Sequence, residues 1–261
     1  VIAMPDQASS ADAVRSRVSP EEWQARVDLA ACCRLVDLYG MTDMLGNNVT
    51  ARVPGEENRL LINPLGLLYD EVTASCLVKI DMDGKVVSEG SAGAGVNQAG
   101  FVIHGAMHRA RADVNCVIHT HTVAGMAVSA LECGLIATVQ NSLRFVSVAY
   151  HDFNGLSLDV AEQGVLMAEL GEADVMILRN HGLLAMGQTI AAAFDTIYRL
   201  ELVCKVQMAV LSANAKMRRL PEAVIEDTKA LYRQYVIPHA GQREWPALLR
   251  KLDRIDPSFR D

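Results

Sequence analysis

No run of 18 or more residues in this 261-residue chain is both apolar and uncharged, which excludes an ordinary transmembrane helix. The first residues lack the basic-then-apolar pattern of a secretory signal, so a soluble cytoplasmic protein with no membrane partner is expected. Positive charge is also scarce. Lysine and arginine number 24 against 31 acidic residues, and the formal net charge of −7 gives no electrostatic reason to expect a nucleic-acid partner. Lys216, Arg218 and Arg219 read as the solvated end of a helix rather than a basic patch. The six cysteines, Cys32, Cys33, Cys76, Cys116, Cys133 and Cys204, contain no C-x-x-C pair and no regular framework. That excludes a zinc knuckle and a disulfide scaffold and leaves buried, reduced thiols. Internal repeats and low-complexity segments are absent as well.

What is present suits one well-packed domain: 51% hydrophobic and 21% charged residues, with no break in composition that calls for a division. Residues 1–18 are small and polar without clear periodicity and read as a flexible leader, with a single domain over 19–261. Ser19, Pro20 and Glu22 supply a cap, a proline at the first helical position and an acid at the third. Trp23, Val27, Ala30, Ala31, Leu35 and Leu38 then follow at helical spacing as far as Gly40. Residues 45–90 change to short β-like runs, NNVTARV, RLLIN and CLVKIDMDGKVVSEG, with Asp83-Gly84 as a hairpin signal. AGFVIHGAMHRARA reads as a helix, VNCVIHTH as a strand and AGMAVSAL as a helix. A helix near 160–170, a strand over 174–178 and a long helix over 189–216 complete the pattern. Helices therefore flank a mostly antiparallel sheet, an α/β sandwich.

His119 and His121 in CVIHTHTVAG carry the most chemical information. Side chains two apart in a strand project from one face, so an H-x-H in an apolar run aims two imidazoles at one point. Buried strands also hold hydrogen-bonded histidines with no metal, and two imidazoles do not fix a site. His181, at the start of the Gly-rich stretch NHGLLAMG, adds a third and favours a metal centre with open positions for substrate. Asn180 is placed to orient that loop and Gly182 to allow a tight turn. His104 and His108 stand four apart on a helix and read as structural, or as outer partners of ligands. His151, before an Asn-Gly turn, reads as a loop residue. Arg144 and Arg179 are candidates for holding a carboxylate, with an ion pair as the simpler reading.

The order and spacing of four segments, GNNVTARVPG, LLINPLGLLYDEVTAS, AGFVIHGAMHRARADVNCVIHTHT and LRNHGLLAMG, resemble the class II aldolase/adducin family across nearly the whole chain. The resemblance implies a three-layer sandwich with a central, mostly antiparallel sheet, and a homotetramer with active sites at subunit interfaces. It implies that His119, His121 and His181 are ligands of a divalent metal, zinc first, with manganese, cobalt or iron as alternatives that three imidazoles also suit. The family carries a histidine at the His104 position without using it as a ligand. Some relatives draw a tyrosine from near the C-terminus of a neighbouring subunit, which makes Tyr232, Tyr235 and His239 candidates for that role. Packing of a helix face is the simpler reading of the two tyrosines.

Two departures bear on the reaction. Sugar-phosphate aldolases of the family carry a catalytic acid nineteen residues before the first histidine of H-x-H, and that position here is Gly100, which has no proton to transfer. Their phosphate cradle corresponds here to Asn47-Asn48-Val49-Thr50, Leu65-Gly66 and Gln98-Ala99, so the short hydroxyl pair is missing. Asn47, Asn48, Gly66 and Gln98 remain as the candidate substrate-binding residues. The expectation is a metal-dependent carbon–carbon lyase, decarboxylase or aldolase, acting on a small unphosphorylated hydroxy- or oxo-carboxylate. The alternatives are a non-haem iron oxygenase on the same scaffold and a non-catalytic interaction domain like the adducin head.

Overall fold

The computed structural model describes residues 7–93, 95–155 and 162–261, with residues 7–10, 98 and 99 described by their backbone alone. Within the stretch read as a leader, Gln7–Arg15 forms a helix (α1), and the Arg15 guanidinium lies 5.6 Å from the centre of the Trp23 ring. Helix α2 (Pro20–Leu38) starts where its signals predict, with the Ser19 hydroxyl accepting from the Glu22 N–H at 3.1 Å. Glu22 itself takes a different role from a reciprocal cap. Its carboxylate is buried against Arg26 at 3.0 Å and Lys79 at 2.7 Å, which ties the helix to a strand instead.

The strands are β1 (Asn48–Arg52), β2 (Arg59–Ile62), β3 (Val78–Asp81), β4 (Val86–Ser88), β5 (Cys116–Thr120), β6 (Ala149–His151), β7 (Val175–Leu178) and β8 (Gly182–Gly187). They form one sheet in the order β4-β3-β2-β1-β5-β8-β7-β6, in which only the β6–β7 pair is parallel. The remaining helices are α3 (Gln98–Ala110), α4 (Val123–Ser129), α5 (Glu162–Leu170), α6 (Ile190–Ser212), α7 (Glu222–Leu231) and α8 (Glu244–Ile255). Residue 160, where the helix expected near 160–170 begins, lies outside the described residues. Among the described residues, no helix is long and apolar enough to cross a membrane.

Alternation along the strands sorts side chains onto the two faces of the sheet. Val49, Ala51, Cys116, Ile118, Leu183 and Ala185 face α2, α6 and α8, where they meet Leu35, Phe194, Ile197 and Leu252. Val117, Met176, Leu184 and Met186 face the other way, against Ile103 and Met107 of α3 and Leu166 of α5. Five of the six cysteines are buried free thiols, and Cys133 is an exposed one. The architecture is thus an α/β three-layer sandwich around an eight-stranded sheet.

The histidine pair on α3 is structural in its contacts. His104 Nδ1 and His108 Nε2 flank the Thr50 hydroxyl at 2.8 and 2.9 Å, joining helix and sheet through one buried oxygen. Burial pushes His104 down to about 3, so its ring is neutral near pH 7.

Candidate metal centre

The β5–β8 pairing builds the site. Its antiparallel register, His119↔Leu184 and Thr120↔Leu183, brings the end of β5 beside the start of β8. His119 is in the strand, His121 lies just past it, and His181 precedes β8. Asn180, with φ of +55°, turns the chain at that point. Gly182 serves a different need from the expected turn, because a Cβ there would sit 2.5 Å from the Thr120 carbonyl oxygen. Its missing side chain allows the two backbones to approach.

The three rings converge through their Nε2 atoms. His121 Nε2 lies 2.8 Å from His119 Nε2 and 3.0 Å from His181 Nε2. Two of the outer nitrogens have partners that only accept: His119 Nδ1 donates to the Leu183 carbonyl at 3.0 Å, and His121 Nδ1 to the Asp43 carboxylate at 3.1 Å. A neutral imidazole has one N–H, so these contacts turn the Nε2 lone pairs of His119 and His121 toward each other. Burial, followed by the neighbouring rings, pushes His119 well below its ordinary value and His181 down to about 4, keeping both in the form that binds metal. The donor set therefore fits a divalent cation, and the three ligand atoms lie within 4.8 Å of one another.

The position of the missing acid is filled. Gly100 is the third residue of α3, its N–H capped by the Asn97 side chain at 3.3 Å. A Cβ on Gly100 would overlap Asn48 Nδ2 and lie 2.6 Å from Asn48 Cγ. Asn48 pairs with His119 across β1 and β5 and is 2% exposed. The Asn48 carboxamide thus takes the space of a side chain at residue 100.

The other expected site residues divide. The Asn47 amide is occupied internally, accepting from the Asp43 N–H at 2.7 Å and donating to the Met41 carbonyl at 3.0 Å. Gly66, with φ of +89°, forms a turn next to Leu65, whose N–H reaches the Gly95 carbonyl at 3.0 Å. The Gln98 and Ala99 side chains lie outside the described residues. Tyr232 and Tyr235 lie in a π-helical turn over Tyr232–Val236, with His239 just beyond. This segment borders a cavity of about 540 Å³ lined by Arg144, Glu172, Asp174, Arg233 and Ile237, while His181 opens onto a different, smaller cavity. Arg144 is a buried ion-pair partner of Asp195, and Arg179 stacks 4.3 Å from the Tyr150 ring centre and donates to the Leu131 carbonyl.

His151 departs from its expected loop. It ends β6, buried, with Nδ1 2.6 Å from Glu169 and Nε2 3.0 Å from Glu162, in the cavity shared with His181. Burial lowers its basicity, but the two carboxylates outweigh that and hold it above the ordinary value. Asp43 is the site residue that spacing could not reveal, since 78 residues separate it from His121.

The chain resembles known proteins along most of its length. Residues 27–208 match the Class II Aldolase and Adducin N-terminal domain. The crystal structure of an aldolase II superfamily protein from Pseudomonas syringae is 45% identical, with a TM-score of 0.90 over 95% of this chain and 100% of that one. An L-fuculose 1-phosphate aldolase from Glaciozyma antarctica is 28% identical, with a TM-score of 0.79 over 92% and 93% of the two chains. Rat α-adducin is 40% identical over 242 residues, 88% of this chain but 33% of the adducin. With the family domain matched from α2 well into α6 and the same fold recurring in the two solved structures, the chain belongs to the class II aldolase and adducin family.

Proposed function

We propose that the protein is a metal-dependent carbon–carbon lyase acting on a small, unphosphorylated hydroxy- or oxo-carboxylate. The observation that carries this reading is the convergence of three Nε2 atoms, with the outer nitrogens of His119 and His121 bonded to acceptors. His119, His121 and His181 are the ligands in this reading, zinc the first metal to try, and manganese, cobalt and iron the others. Bound there, a divalent ion supplies Lewis acidity that draws electrons from substrate oxygens as the carbon–carbon bond breaks.

The chain's own residues select among reactions at such a centre. Aldol cleavage must remove a hydroxyl proton, and neither Gly100 nor the Asn48 carboxamide beside it can take one at neutral pH. Decarboxylation needs only a proton delivered after carbon dioxide leaves, which water can provide. The Asn48 amide is suited to orienting a substrate oxygen without exchanging a proton. Asn47, tied into its own loop, supports the site's shape more directly than it supports substrate contact. These features favour the decarboxylase over the aldolase.

Assembly as a homotetramer with sites at subunit interfaces belongs to the same reading. Met44 (80% exposed) and Val123 (82% exposed) are next to Asp43 and two residues past His121, apolar surface that a second copy would cover. Tyr232, Tyr235 and His239 would then be offered to a neighbour's site. The test is a screen of hydroxy- and oxo-acids for carbon dioxide and aldehyde release by metal-loaded protein. Carbon dioxide release lost in His181→Ala is expected, and oxygen consumption with Fe(II) alone would favour an oxygenase instead. The similarity to α-adducin favours a second reading, a non-catalytic interaction domain. That reading gains if His119→Ala changes neither metal content nor assembly.

A further inference from the structure

His119 and His121 are held by different means. His119 is within β5, and its Nδ1 partner is a backbone carbonyl of the neighbouring strand. His121 is beyond the last ladder residue, so the sheet does not fix its ring. We propose that Asp43 is the positioning residue of the centre: its carboxylate holds His121 as the Nδ1–H tautomer, with the Nε2 lone pair facing His119 and His181. This inference rests on the metal-centre reading above.

The loop that presents Asp43 is built for one geometry. The Asp43 N–H donates to Asn47 Oδ1 at 2.7 Å, the Gly46 N–H donates to the Asp43 carbonyl at 2.7 Å, and Asn47 Nδ2 donates to the Met41 carbonyl at 3.0 Å. The buried Asn47 amide therefore closes residues 41–47 into a ring of hydrogen bonds from which the acid projects. Gly46 leaves the projecting contact room. A Cβ there would lie 3.1 Å from Asp43 Oδ2 and 3.2 Å from His121 Nδ1, wedged against the hydrogen bond itself. A carboxylate on the outer nitrogen both fixes the ring and raises its basicity as a ligand, and losing such a partner costs about 10–100-fold in metal affinity.

The experiment uses the full chain with Co(II) and Zn(II), measuring affinity by competition with a chromophoric chelator and the Co(II) absorption spectrum. Histidine tautomers in the metal-free protein are read by 15N NMR. Asp43→Ala is expected to weaken metal about 10–100-fold, shift the Co(II) spectrum and release His121 from the Nδ1–H form. Asp43→Asn, whose amide oxygen still accepts, should retain the tautomer and lose less affinity. If Asp43→Ala binds metal as wild type does while His121→Ala does not, Asp43 has no positioning role and the triad stands. If His121→Ala also retains full affinity, the metal-centre reading falls and the proposal with it. An unchanged His121 tautomer in Asp43→Ala overturns the proposal whatever the metal results.

Discussion

Adding one methyl group at residue 100 tests why the family's acid is absent. In Gly100→Ala the new carbon would overlap Asn48 Nδ2 and lie 2.6 Å from Cγ and 3.1 Å from Oδ1. Asn48 is 2% exposed, so its amide cannot move aside freely into solvent. Overpacking of this kind costs about 1–3 kcal/mol. Gly100 is otherwise an unexceptional helical residue, and Gly→Ala inside a helix gains about 0.5–1 kcal/mol from propensity. The net expectation is a loss of roughly 0.5–2 kcal/mol in the wild-type background. In Asn48→Ala the methyl enters vacated space, so the same replacement becomes stabilising by about 0.5–1 kcal/mol. Urea unfolding of the four proteins closes a double-mutant cycle and reads this reversal directly. If Gly100→Ala has the same sign and size in both backgrounds, Asn48 does not dictate the glycine and the packing argument fails.

Other perturbations probe the parts around the site. Asp195→Ala leaves the buried Arg144 without its carboxylate and removes a 2.7 Å partner from Arg199, a loss of about 3–5 kcal/mol by denaturant titration; a change below about 1 kcal/mol would show the pair to be dispensable. His151 is raised above 6.5 when folded, so its contribution is complete below that value and is lost as pH rises through the folded value. The stability advantage of wild type over His151→Gln should therefore shrink on going from acid to alkaline pH, and an advantage that grows with pH would contradict the Glu162–His151–Glu169 clamp.

Local signals carried far in this chain. Ser19 and Pro20 marked the start of α2, and Asp83-Gly84 marked the β3–β4 hairpin, with Gly84 at φ of +78°. The H-x-H spacing was legible because extended backbone sends side chains two apart to one side, although β5 itself ends at Thr120 and the His121 ring takes its hold from Asp43. What was hidden depends on contacts distant in sequence. Gly182 reads as a turn residue, yet it begins β8, and it is a glycine because β5 approaches too closely for a side chain. β6 is only three residues long, too short for alternation to announce it, which is why His151 looked like part of the adjoining loop. The absence of an acid at Gly100 could be read directly, but its physical cause, Asn48 reaching across from β1, could not. Asp43 gave no signal at all, since its role exists only once the loop before β1 is folded against His121.

The central claim is that His119, His121 and His181 hold one divalent ion. Elemental analysis of purified wild-type protein, His121→Ala and His181→Ala measures it most directly. About one ion per chain in wild type, and little in either variant, is the predicted result. Full occupancy in either variant, or a metal-free wild type that does not take up metal from solution, would contradict it.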